Sequence, residues 1–170
     1  MVLAQRLGER LDTPLRLYLL GGSAMLLLGS SRATKDVDYH LGTIGADADA
    51  PRRAIEALAT ELRLDLEFVP LAEFVPLPAG FEKRHQRVGR FGAVELFIFD
   101  PYSLALSKIA RGFEADLQDV VFLVHRGIVE LDSLRDMLHD ALPKAWAADI
   151  DPAEFQQYFD ELERLLELDS

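Results

Sequence analysis

The segment Tyr18–Leu41, YLLGGSAMLLLGSSRATKDVDYHL, decides the fold. The apolar residues before Gly21-Gly22-Ser23 predict a buried strand that ends at a turn, and the apolar residues after it predict a short helix. Asp36-Val37-Asp38 lies in a second strand-like run. Because alternate side chains of a strand share a face, we expect Asp36 and Asp38 to point the same way.

This turn and the acidic pair together predict a phosphate and metal site. Glycines let the backbone approach a phosphate closely, the following helix offers free N–H groups, and Ser23 would add a hydroxyl. Two carboxylates on one face repel each other unless a cation lies between them. Magnesium is the cation that best suits such oxygen ligands, with manganese as the alternative. A helix-capping turn beside a solvated acidic edge is the other interpretation.

These residues resemble a known family. Gly21-Gly22-Ser23-Ala24, followed by Arg32, Thr34 and Asp36-Val37-Asp38, is similar to the minimal nucleotidyltransferase fold. The match is closest to small bacterial proteins grouped with abortive-infection and toxin–antitoxin nucleotidyltransferases, largely of unknown function. The resemblance continues through Asp100-Pro101-Tyr102-Ser103-Leu104 and then through four charged residues, Lys108, Arg111, Asp116 and Asp119.

The resemblance implies an α/β fold, in which a small mixed sheet is flanked by helices and followed by a C-terminal helical segment. It implies metal-dependent transfer of a nucleotidyl group from a nucleoside triphosphate to a hydroxyl, with tRNA, a protein and a small molecule all open as the acceptor. Some relatives are catalytically silent. The alternative function is therefore a binding or regulatory protein, such as an antitoxin-like partner.

A third carboxylate on a neighbouring strand is also implied by the resemblance. The strand predicted at Arg63–Val69 carries Glu67 and Asp65 on its polar face, and we rank them first and second as the third catalytic and metal-binding acid. Glu95, in the strand predicted at Val94–Phe99, ranks third. For each of them, a solvated acid on an edge strand is the alternative.

Two basic residues are candidates for nucleotide binding. Asp100-Pro101 predicts a helix start and Gly112 its end, and within that helix Lys108 and Arg111 share a stripe. The resemblance implies that a lysine and an aspartate from this region complete the active site. Lys108 or Arg111 would assist the glycine turn and Ser23 in holding phosphates, or they would pair with the two aspartates of the next helix.

The remaining elements follow from apolar periodicity and from Gly, Pro and Asp boundaries. We predict helices at Val2–Leu11, Ala24–Gly29, Pro51–Leu62, Glu114–Arg126, Leu131–Leu142 and from Asp151 onward, strands at Leu15–Leu20 and Lys35–Leu41, and a loop at Gly42–Ala50. The basic cluster between Lys83 and Arg90 predicts a solvated hairpin that offsets nearby acids, or a grip on the phosphates of a substrate.

Composition excludes some classes of protein. There is no cysteine, which excludes disulfides and thiolate metal sites and suits a cytoplasmic protein. The apolar run Leu17–Leu28 is too short to cross a bilayer, so we expect no membrane association. The formal net charge of −11 argues against broad electrostatic attachment to nucleic acid.

We expect a single compact domain, with a nucleotidyltransferase-like core at 1–127 and C-terminal helices at 128–170 packed on it. The last helix has an apolar stripe, which predicts core packing or, as the alternative, docking against a partner protein or a second copy. Trp146 is predicted to be a packing anchor.

Overall fold

The computed structural model describes residues 1–42 and 49–170. Within those ranges the chain forms eight α-helices: Val2–Arg10 (α1), Gly21–Leu27 (α2), Asp49–Leu62 (α3), Leu71–Phe74 (α4), Pro101–Arg111 (α5), Glu114–His125 (α6), Leu131–Ala141 (α7) and Pro152–Leu168 (α8). It also forms five strands: Leu15–Leu19 (β1), Asp36–Gly42 (β2), Asp65–Phe68 (β3), Gln86–Phe91 (β4) and Val94–Ile98 (β5). Two 3-10 helices lie at Phe81–Lys83 and Leu142–Ala148.

The five strands form one mixed sheet in the order β3-β2-β1-β5-β4. β1 pairs with β2 antiparallel and with β5 parallel, β2 pairs with β3 parallel, and β4 and β5 form an antiparallel hairpin. The structure therefore confirms the α/β class and the mixed sheet flanked by helices. The predicted strands match the observed strands to within two residues at each end.

Contacts divide the chain into two compact units. The first unit is Met1–Val69 with His85–Phe99, and it contains the whole sheet; the second is Pro70–Arg84 with Asp100–Ser170, and it is helical. In the first unit, Leu15, Leu17 and Leu19 of β1 are buried because alternate residues of a central strand face the core. The expected division at residue 127 stays a prediction.

In the second unit, α5 begins as the sequence predicts. The side chain of Asp100 accepts hydrogen bonds from the amides of Tyr102 and Ser103, and Pro101 occupies the first helical position. Gly112 ends the helix in the left-handed conformation, at φ +68°. The apolar stripe of α8 is buried inside this unit through Phe155, Phe159, Leu162 and Leu166, so it serves as core. A protein partner or a homodimer stays a prediction.

Three further sequence predictions concern the surface. Trp146 is 67% exposed, so the prediction that it anchors packing is wrong. The loop predicted at Gly42–Ala50 lies mostly outside the described residues, and α3 begins at Asp49, two residues before the predicted start. None of the helices in the described ranges is long and apolar enough to cross a bilayer.

The negative charge is divided unequally between the two units. The first unit contains 10 Lys and Arg against 11 Asp and Glu, a net charge of −1. The second contains 8 Lys and Arg against 18 Asp and Glu, a net charge of −10. The sheet-containing unit is therefore close to neutral, and the acidic character of the protein belongs to the helical unit.

Candidate active site

The turn after β1 is packed directly against the acidic pair. Gly21 has φ +52°, and a Cβ atom built there would lie 1.9 Å from Asp38 Oδ2. Only glycine tolerates both the left-handed backbone and this close approach. Gly22 does not have a positive φ, but a Cβ atom there would lie 2.6 Å from Thr34 Oγ1. Both glycines are thus required by contacts inside the protein, and the turn is held beside Asp38.

Hydrogen bonds fasten this turn to the start of β2. The hydroxyls of Ser23 and Thr34 both donate to the carbonyl of Asp36, at 3.2 and 3.1 Å. The amide of Leu20 donates to the carbonyl of Asp38 at 3.0 Å. Because these bonds fix the backbone on both sides of Val37, they set the position of the acidic pair relative to the turn.

The sheet register places a third carboxylate beside the pair. In the parallel pairing of β2 with β3, Asp36 is opposite Asp65 and Asp38 is opposite Glu67. Residues paired in this way share a face, and their strands are about 4.8 Å apart. These carboxylates therefore lie on one face of the sheet, on its edge strand β3 and the neighbouring strand β2: Asp36, Asp38, Asp65 and Glu67.

Glu95 has a different position. It pairs in register with Arg16 of β1, and Arg16 pairs with Gly42, which is four residues from Asp38 along β2. At about 3.3 Å per residue, this offset separates Glu95 from Asp38 by roughly 13 Å along the strand direction. Glu95 also lies 3.7 Å from Arg16 Nε and 3.6 Å from Arg87 Nε. The register thus places Glu67, and not Glu95, beside the acidic pair.

No group of three or more His, Asp or Glu side chains among the described residues is gathered as a metal-binding cluster. The acids at β2 and β3 share a face in register, yet their side chains do not converge. Magnesium usually takes only one or two protein carboxylates and completes its shell with water and substrate phosphates. Asp36 and Asp38 offer two carboxylates, which is within the number that such a site would need.

Lys108 of the second unit is buried in an ion network. Its Nζ lies 2.7 Å from Asp119 Oδ2 and 3.3 Å from Asp116 Oδ1, and all three side chains are at most 7% exposed. Arg111 Nε lies 3.2 Å from Asp116 Oδ2, although this oxygen has no aligned hydrogen-bond donor. The ion contact does not depend on that alignment, since charge attraction requires no particular angle. The predicted pairing between the two helices is thus observed.

A family described as nucleotidyltransferase of unknown function (DUF6036) matches residues 3–164. The chain belongs to this family. No curated protein and no solved structure gives a significant match. The DUF6036 match includes the glycine turn, the acidic pair and the Lys108 network, and its description gives neither substrate nor metal.

Sequence reasoning missed His40, which follows Asp38 on the same face of β2 in this DUF6036 member. Its Nδ1 donates a hydrogen bond to the carbonyl of Val69 at 3.2 Å, and its ring stacks on Phe68 with centroids 5.7 Å apart. Burial lowers the pKa of His40, and the hydrogen bond to Val69 opposes that shift. The alternation of β2 could have placed His40 on the same face as the acids, but nothing in the sequence indicated its contacts with Phe68 and Val69.

The basic cluster is divided by the structure. Arg84 makes two hydrogen bonds to the fully buried carboxylate of Asp100, at 2.9 and 3.0 Å, while the same carboxylate caps α5. Arg87 contacts Glu95 in the β4–β5 hairpin, as the solvated-hairpin interpretation predicts. Arg84 is therefore a structural residue of the second unit of this family member, which its place in a basic run did not reveal.

Proposed function

We propose that the protein is a metal-dependent nucleotidyltransferase, which moves a nucleotidyl group from a nucleoside triphosphate to a hydroxyl acceptor. The observation that carries this proposal is the contact of the Gly21 turn with Asp38. It brings a potential phosphate-binding backbone and an acidic pair to one place in the first unit. Membership of the nucleotidyltransferase family supports the reaction class.

Asp36 and Asp38 are the residues that would hold magnesium or manganese. Glu67 is the third ligand favoured by the register, and its side chain would have to turn toward the pair to bind the ion. When bound, the metal ion supplies positive charge to the phosphates and so offsets the charge that develops as pyrophosphate leaves. Asp65 lies opposite Asp36 and is the next choice for this role. All four side chains are carboxylates, the oxygen ligands that these hard cations prefer.

Gly21, Gly22 and Ser23 are the residues that would hold the phosphates. The first backbone hydrogen bond of α2 runs from the amide of Ala24 to the carbonyl of Leu20. The amides of the three preceding residues therefore have no acceptor within the helix. Such amides suit an anion that the backbone can approach closely. Ser23 donates its hydroxyl hydrogen to Asp36, and binding a phosphate would require it to change acceptor.

The acceptor can be a tRNA, a protein hydroxyl or a small molecule. The net charge of −11 argues against a polynucleotide only if it surrounds the site. Most of that charge belongs to the second unit, and the first unit, with the acidic pair, has a net charge of −1. A polynucleotide acceptor therefore stays within the proposal.

Calorimetry with each nucleoside triphosphate, with and without magnesium, tests the proposal. The wild type should bind at least one triphosphate in a magnesium-dependent way, and Asp36→Asn/Asp38→Asn should lose that binding. Glu9→Gln/Asp12→Asn is the matched control, because it removes two exposed negative charges from the same unit. Equal binding by the wild type and the site variant would overturn the proposal.

Pyrophosphate release, measured with tRNA, protein and small alcohols as acceptors, then separates the two function classes. Release that needs Asp36 and Asp38 supports the enzyme. Magnesium-dependent binding with no release under any acceptor supports the alternative, a regulatory protein that uses the fold to bind nucleotide.

A further inference from the structure

A cavity of about 330 Å³ lies in the first unit, behind the acidic pair. Leu17 and Leu19 of β1, Val37 of β2 and Leu96 of β5 form its floor. Val37 alternates with Asp36 and Asp38 along its strand, so the cavity and the two carboxylates are on opposite faces of the sheet. The proposed metal-binding carboxylates therefore lie outside the cavity, and Ser23 is the one residue that the cavity shares with the proposed nucleotide site.

Exposed apolar side chains are concentrated around this cavity. Nine large hydrophobic residues are exposed in the part of the chain that the structure describes, and five of them line it: Met1, Val2, Leu26, Leu27 and Leu64. They come from the N-cap and first residue of α1, from α2 and from the residue before β3. Single exposed apolar residues are ordinary on protein surfaces, whereas a contiguous group of them marks a binding site.

The lining selects an uncharged ligand. Among the residues that the structure describes, no charged side chain lines the cavity, and the single polar one that does, Ser23, already donates its hydroxyl hydrogen to the carbonyl of Asp36. A charged or strongly polar ligand would lose its hydration there without gaining hydrogen bonds in return. An alkyl chain loses no hydrogen bonds and gains from leaving water.

The volume limits the size of the ligand. An apolar cavity of about 150 Å³ holds one benzene molecule, so a cavity of about twice that volume holds about twelve carbon atoms. We propose that this cavity is a binding site for an uncharged alkyl chain of up to about twelve carbons. The chain belongs to a free small molecule or to a lipid, which present the same chemistry to the cavity.

The test is a titration of the full-length protein with 1-hexanol, 1-octanol and 1-decanol, followed by methyl NMR of its Leu, Val and Met side chains. Saturable shifts should appear at Leu17, Leu19 and Val37. Each added methylene should lower Kd by about fourfold, as expected for burial of one methylene group. Failure of all three alcohols to saturate these methyls would overturn the proposal.

Two cavity variants and one control variant show whether the alcohols bind in the cavity. Leu27→Arg and Val2→Arg each place a charge at a partly exposed wall position, and each should raise Kd for 1-octanol at least tenfold. Leu168→Arg, at an 81% exposed position of the second unit, should leave Kd unchanged. Equal loss in all three variants, or no loss in any, would mean non-specific binding and would overturn the proposal.

Asp36→Asn/Asp38→Asn should bind 1-octanol as the wild type does, so failure of the nucleotide proposal and failure of this one give different results. Co-sedimentation with phosphatidylcholine vesicles identifies the source of the chain. Sedimentation that Leu27→Arg abolishes assigns the cavity to a lipid chain. Alcohol binding without sedimentation assigns it to a free small molecule, and either result supports the site.

Discussion

Lys108 Nζ lies 2.7 Å from Asp119 Oδ2, and both side chains are buried in the helical unit. An ion pair on a helix surface contributes at most about 1 kcal/mol, but breaking a buried pair leaves a charge without compensation and costs about 3–5 kcal/mol. The sequence predicted this pairing on the helix surface, and that part of the prediction is wrong because the structure buries all three side chains. Because the pair is buried, removal of the lysine should lower the free energy of unfolding by more than removal of a surface lysine would.

We therefore expect Lys108→Met to lower the free energy of unfolding by about 3–5 kcal/mol, because the buried carboxylate of Asp119 loses its contact with the lysine and Asp116 keeps only its contact with Arg111. Urea unfolding measures this change, and the exposed Lys144→Met is the matched control. A loss of about 1 kcal/mol or less would contradict the buried network. Nucleotide affinity of the folded variant tests the separate prediction that Lys108 binds phosphate, which requires a loss of about 1–3 kcal/mol.

Gly21→Ala should destabilise the protein for two reasons. The left-handed backbone costs a non-glycine residue about 1–2 kcal/mol, and the new methyl group would overlap Asp38 Oδ2. Overpacking of this kind adds about 1–3 kcal/mol. Gly127→Ala has the first effect alone, since its φ is +66° and no atom lies within 4 Å of an added Cβ. Urea unfolding of both variants should show the larger loss for Gly21→Ala.

A double-mutant cycle isolates the contact with Asp38. In an Asp38→Ala background the nearest remaining atom of residue 38 is its Cβ, at an ordinary 3.4 Å from the added methyl group. Gly21→Ala should then destabilise by only about 1–2 kcal/mol, the backbone strain. If the loss is the same in both backgrounds, the turn does not touch Asp38 as described.

Glu67→Gln should weaken magnesium-dependent nucleotide binding by about tenfold or more, because a carboxylate ligand contributes on the order of 1.5–3 kcal/mol. Glu95→Gln is the matched control, since Glu95 is engaged with Arg16 and Arg87 and lies four register positions away. Calorimetry should give the control wild-type affinity. A larger effect of Glu95→Gln than of Glu67→Gln would show that the register misassigns the third acid.

His40 should titrate below its ordinary pKa of 6.5, because burial disfavours its charged form. NMR of the imidazole measures this directly. Its unfolded-state pKa is the higher of the two, so the unfolded protein binds the proton first and stability falls as pH drops below about 6.5. The His40→Gln variant should lose less stability than the wild type over that range and the same amount above it. Identical profiles would contradict the shift.

Local signals in the sequence were sufficient for most of the elements, but they did not predict α4 or β4. Gly21-Gly22 marks the end of β1, Asp100-Pro101 marks the start of α5, and the alternation of β2 places both aspartates on one face. These features depend on residues within a few positions of one another. The structure accordingly confirms the α/β class and most element boundaries.

Long-range contacts account for what was missed. The choice between Glu67 and Glu95 depends on strand register, which joins residues nearly thirty and more than fifty positions apart. The exposure of Trp146 and the contact of Arg84 with the buried Asp100 depend on what packs around each of them. Periodicity describes one element at a time, so it carries no information about such partners.

The path of the chain between the two units has a consequence for fragment experiments. The chain changes unit after Val69, after Arg84 and after Phe99. Cleavage after Phe99 would give an N-terminal fragment that contains all five strands. It would also separate Pro70–Arg84 from the rest of the helical unit, so the buried apolar side chains of Leu71 and Val75 would lose the residues that pack around them. Asp100, on the other fragment, would keep its cap role but lose the guanidinium of Arg84. Mixing both halves, in the manner of protein complementation, is therefore the way to recover a complete helical unit.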